Sequence, residues 1–173
     1  MRFTDFLKAT VLMSAGAATA LAAVTVAGAA GDNDPTVVLV ALGWWAVAGL
    51  YGALLGRHAE TSPPIAGLLA QARSETTLPE VQPGRILLNR LWPLLLSTLG
   101  AGALAFLAPQ IPAVACGFAI IWALAWRRQD SAVTAIEDRD GVRFYVERTS
   151  PASRIKLVRT PGFKADRPVV QRP

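Results

Sequence analysis

One cysteine and one histidine are all that 173 residues offer to thiol or imidazole chemistry. A single thiol, Cys116, excludes a disulfide within the chain. His58 has Glu60 two residues on, but no second His or Cys nearby completes a metal site. Gly-rich phosphate loops, a Walker lysine and a nucleophile elbow are missing too. The chain is therefore expected to be non-enzymatic, with no catalytic residue, no metal and no cofactor. Lysine is scarce, 3 against 14 Arg, and with the abundant Ala and Gly this is the bias of a GC-rich bacterial genome.

The largest absence is of charge. Asp, Glu, Lys and Arg are missing from Ala9–Gly31, Pro35–Gly56 and Leu91–Trp126. About 20 apolar residues cross the ~30 Å hydrocarbon layer of a bilayer. The windows accommodate four spanning helices, at about 9–30, 36–55, 91–108 and 110–126. The expected fold is an all-α membrane protein of two transmembrane hairpins, 1–56 and 91–126. Between them lies a loop, 57–90, and after them a tail, 127–173, with a small β-hairpin and a disordered end.

Helix 1 is the least hydrophobic, because 10 of its 22 residues, 9–30, are Ala. Its insertion rests on Leu and Val side chains contributing about −0.3 to −0.6 kcal/mol each, a sum that one central Arg or Asp would cancel. The competing reading of this segment is a cleaved signal peptide, since "AGA" at 27–29 imitates a processing site. Against it, the apolar run exceeds the ~7–15 residues of a usual signal core.

Basic residues orient such a chain, because loops rich in Lys and Arg stay in the cytoplasm. Arg2 and Lys8 precede helix 1, and 57–90 carries Arg57, Arg73, Arg85 and Arg90, whereas "GDNDP" and "APQIP" hold no Lys or Arg. The tail holds 11 basic and 6 acidic residues, so its balance, 11 − 6 = +5, equals the net charge of the whole chain. Both termini are therefore expected in the cytoplasm, with the chain in the bacterial cell membrane. Trp92, Trp122 and Trp126 fall at the inner interface as membrane anchors, followed by Arg127 and Arg128 among the headgroups. Trp44 and Trp45 lie deeper, as packing or lipid-facing residues.

Within the loop, Ser62 before two prolines begins a helix, and Ile65, Leu68, Leu69 and Ala72 recur at helical spacing. This helix either lies on the inner membrane surface or packs against the tail. In the tail, an Asp140-Gly141 turn leads to a strand in which Val142, Phe144 and Val146 alternate with Arg143 and Tyr145. A second alternation places Ile155 and Leu157 opposite Arg154 and Lys156, ended by a turn at 160–162. The stretch containing Ala132, Val133 and Ile136 also suits a helix continuing from helix 4. Fewer than 50 residues bury little surface of their own, so the tail must lean on anionic headgroups, on the loop or on a partner protein. Nucleic acid is not an expected partner, because acids interrupt the basic tail.

Inside the windows there is no ionisable group of the kind that marks proton relays and ion paths. Small residues mark close helix contacts: Gly52 and Gly56 in helix 2, Gly100 and Gly102 in helix 3. The function expected is that of an accessory or scaffold subunit, touching anionic lipid or a larger membrane complex. The other expectation is a small transporter or channel component built as a homo-oligomer.

Overall fold

The computed structural model describes residues 1–31, 35–58, 60–75, 83–147 and 155–161. Residues 32–34, in the expected connection between the first two helices, and the end of the tail expected to be disordered lie outside these residues. Element order is α1 (Phe3–Gly31), α2 (Pro35–Leu55), α3 (Pro63–Ala70), β1 (Arg73–Ser74), α4 (Pro83–Ala103), a 3-10 turn (Leu104–Phe106), α5 (Gln110–Trp126), α6 (Gln129–Asp140), β2 (Val142–Val146) and β3 (Leu157–Pro161). α2, α3 and α4 each open on proline, whose fixed φ and missing N–H suit a first helical turn. Gly141, at φ 63°, closes α6 in the left-handed conformation and turns the chain into β2.

Four helices are long and apolar enough to cross a membrane: Phe3–Gly31, Pro35–Leu55, Pro83–Phe106 and the α5–α6 rod from Gln110. Their outward faces carry Leu39, Leu50, Leu96, Leu99 and Phe106, all exposed. Soluble monomers rarely expose an apolar surface of that extent.

Two helices start earlier than the charge-free windows suggested. α1 begins at Phe3, six residues before position 9, and α4 at Pro83, eight before position 91. Absence of charge marks the part of a helix that tolerates hydrocarbon. The helix itself continues past that limit, carrying Asp5 and Lys8 in α1 and Arg85 and Arg90 in α4.

Packing departs from a pair of independent hairpins. α5 is the central helix, with α1 running antiparallel on one side and α2 parallel on the other. The sequential pairs α1–α2 and α4–α5 make the smaller interfaces. Small residues explain this arrangement: Ala113, Cys116, Gly117, Ala119 and Ala123 give α5 buried faces that admit a neighbour closely. At the bundle centre Ala18, Leu21, Ala101, Cys116 and Ala119 form one buried cluster.

The second core lies beyond the bundle, at the end where the basic residues gather. Phe3, Phe6 and Leu7 of α1, Ile65 of α3, Ile86 of α4, Val133 of α6, and Phe144, Val146 and Leu157 of the strands are all buried together. The expected hairpin is thus part of a larger cap. β2 and β3 pair antiparallel from Val142↔Pro161 to Val146↔Leu157. β1, drawn from the loop, joins β3 in parallel through Arg73↔Val158. On the other side of β2 the chain start adds a bridge, Arg2↔Tyr145, and the Val146 N–H donates to the Met1 carbonyl at 3.0 Å.

Candidate functional site

The strands of the cap are too short to hold themselves, and one carboxylate ties the chain start, α6 and β2 together. Glu137 sits in the last turn of α6 with its side chain fully buried. Its Oε2 accepts Arg2 at 3.0 Å and Arg143 at 3.0 Å, and its Oε1 accepts the Phe144 backbone N–H at 2.9 Å. A buried carboxylate is costly unless its lone pairs are met by charged donors and N–H groups. Here both oxygens are met, and the hydrogen bond to Glu137 holds Arg143 in its charged form above the usual guanidinium range.

A second polar link joins the loop to the helical rod. The Ser62 N–H donates to Gln129 Oε1 at 3.0 Å, and Gln129 Nε2 donates to the Glu60 carbonyl at 3.2 Å. Ser62 occupies the expected N-cap position of α3, but its hydroxyl makes no capping bond. Ile65 is buried in the cap core, and Leu68, Leu69 and Ala72 pack against it. The stripe on α3 is therefore satisfied by the cap, including the tail.

The expected anchors occupy the junction of cap and bundle. Trp122 and Trp126 stack, with ring centroids 5.3 Å apart and planes 16° apart. Trp92 and Trp122 are half exposed, and Arg127 and Arg128 are exposed. Arg128 also donates to the Arg57 carbonyl at 2.7 Å, fastening the end of α2 to the α5–α6 joint.

The four glycines separate into two pairs. A side-chain carbon at Gly52 would lie 3.0 Å from Ile121 Cα, and one at Gly56 would collide with the Leu124 carbonyl. Both mark the α2–α5 contact within one chain. Gly100 and Gly102 have no neighbour within 4 Å of that position. On this part of α4, Ala101 is the residue that joins the buried cluster, so the packing role expected of Gly100 and Gly102 is not seen within the chain.

Sequence reasoning missed Gly117, against which the Trp44 indole lies so closely that any side chain would collide. Trp44 Nε1 donates to the Val114 carbonyl at 3.2 Å and Trp45 Nε1 to the Ala113 carbonyl at 2.9 Å. Cys116 Sγ reaches the Ala18 carbonyl at 3.2 Å. The signal for Gly117 was legible only as one more small residue; its partner is 73 positions away. His58 is exposed, and among the described residues no group of three His, Cys, Asp or Glu could hold a metal.

Beneath the cap lies a hollow of about 520 Å³, within the ~300–1,000 Å³ range of ligand sites. Phe3, Phe6, Leu7, Ile65, Leu91, Leu94, Trp122 and Trp126 make its walls apolar, and Arg90 is the one cation in the lining. Thr10 and Ser97 face it as well, but their hydroxyls donate to the Phe6 and Leu94 carbonyls of their own helices. Such a chamber accommodates an apolar body.

Comparison of the chain with protein-family models, curated proteins and solved structures gives no match.

Proposed function

We propose that the chain is a multi-pass protein of the bacterial cytoplasmic membrane, acting as an accessory or scaffold subunit. Its basic cap faces the cytoplasm and engages anionic headgroups or a larger membrane complex. The supporting observation is the way the cap is built: the chain start and the tail meet at Glu137, and the loop joins them through Gln129 and β1, so that a cationic surface is held at the mouth of the bundle. Exposed Lys8, Arg57, Arg127, Arg128, Lys156 and Arg159 belong to this end. Each contributes about 1 kcal/mol of attraction to an anionic leaflet. The positive-inside rule then sets the orientation.

The arrangement favours this function over a conducting homo-oligomer. The Gly52–Gly56 face, which an oligomer of the GxxxG type would need on its outside, is turned onto α5 of the same chain.

The test combines topology with capture. With Cys116 replaced by Ser, Arg57→Cys should label only from the cytoplasmic side of sealed membranes and Gln110→Cys only from the outer side. Gentle extraction should recover a larger partner or bound anionic lipid, and charge reversal at Arg127, Lys156 and Arg159 together should release it. Deleting the tail is a poor probe, because Phe144, Val146 and Leu157 belong to the cap core. Labelling of both cysteines from one side would overturn the orientation, and unchanged recovery after charge reversal would overturn the role of the cap.

A further inference from the structure

The hollow beneath the cap does not end at the cap. A second hollow of about 310 Å³, lined by Leu21, Leu94, Ser97, Ala115, Phe118 and Trp122, shares Leu94, Ser97 and Trp122 with the first. Together they form one groove between α4 and α5, floored by α1. Along α5 the groove runs from Trp126 to Ala115, 11 residues or about 16 Å at 1.5 Å each. Half of a ~30 Å hydrocarbon core is about 15 Å. The part of the groove below Trp126 is thus about one leaflet deep, with the stacked indoles and Arg90 near its upper end and the cap residues Phe3, Ile65 and Ile155 above them.

We propose that this groove holds one acyl chain of an anionic phospholipid from the leaflet on the basic side, its phosphate beside Arg90. The inference rests on the membrane reading given above. Charge and depth both select this occupant. Among the described residues no Asp or Glu lines either hollow, while a guanidinium presents forked donors that match a phosphate. Arg90 keeps an interaction of its own within the chain, and five N–H donors leave capacity for a phosphate as well. Trp122, half exposed, stands on the open side and gives a chain lateral entry from the bilayer.

The experiment uses full-length protein in mild detergent, supplied with phosphatidylglycerol or phosphatidylcholine and read by native mass spectrometry. One phosphatidylglycerol per chain should be retained, and phosphatidylcholine should not. Ser97→Phe, which fills the shared part of the groove, should abolish retention. Arg90→Gln should weaken it about fivefold, and Arg90→Lys, which keeps the charge, should weaken it less. Leu99→Phe, on the exposed face of α4, should leave retention unchanged. Equal retention of both lipids, insensitivity to Arg90→Gln and Ser97→Phe, or a Ser97→Cys cross-link between two copies would each overturn the proposal. Failure of the membrane reading is distinguished separately, because such a chain stays in the supernatant before any lipid is added.

Discussion

Arg2 and Glu137 stand 135 positions apart in the chain and 3.0 Å apart in space. The second residue of the protein thereby closes the cap that its tail builds. Removing the carboxylate strands two guanidinium groups and the Phe144 N–H around a buried space, and a charge-assisted hydrogen bond is worth about 1.5–3 kcal/mol. Glu137→Ala should therefore destabilise the cap by about 2–4 kcal/mol, allowing for the part-exposed arginines. Hydrogen exchange at Phe144 and Val146 should accelerate at least tenfold, about 1.4 kcal/mol, while α5 amides stay protected. Unchanged protection of β2 would show that Glu137 does not hold it.

The apolar half of the cap is tested at Ile65, which is 1% exposed among residues from α1, α4, α6 and the strands. Large-to-small substitution at such a site costs about 2–5 kcal/mol. Ile65→Ala should open the cap to limited proteolysis near β3 without removing the protein from the membrane. A cap as resistant as the wild type would mean that α3 is not part of its core.

Glycine substitutions should separate the α2–α5 contact from the outer face of α4. Gly56→Leu drives a side chain into the Leu124 carbonyl, and overpacking of this kind costs about 1–3 kcal/mol. Gly100→Leu meets open space and should stay within about 0.5 kcal/mol of the parent. Thermal unfolding in detergent decides the matter, and equal midpoints for the two variants would refute the packing.

Trp45→Phe keeps the ring bulk and removes the donor to the Ala113 carbonyl. Interhelical hydrogen bonds between membrane helices average about 0.6 kcal/mol, so the thermal midpoint should fall slightly and Trp44→Phe should cost no more than Trp45→Phe. A loss several-fold larger would imply a role for the Trp45 indole beyond this bond.

Cys116 is 1% exposed and its thiol is directed at the Ala18 carbonyl. A maleimide should react with it only as the bundle unfolds, at the rate of unfolding measured by fluorescence. Rapid labelling of the folded protein would show that α1 and α5 separate in the native state.

How the charges are distributed along the chain already determined where four apolar helices lie, because a single ionised side chain outweighs several Leu or Val in hydrocarbon. Alternation in 142–146 and the glycine at 141 were equally local, and they located β2 and the end of α6. Other features depended on residues far apart in the chain. That α5 is central follows from which small faces meet across three helices, a sum of shape matches spread over about 100 positions. The stripe on α3 has the same spacing whether it meets lipid or protein, and the burial of Ile65 with Phe144, Val146 and Leu157 is visible only in the folded chain. Glu137 looked like one of several tail acids, since burial of a carboxylate is set by the partners that surround it. Arg2 supplies one of those partners, and no local pattern connects a residue at the chain start with a carboxylate at the end of α6.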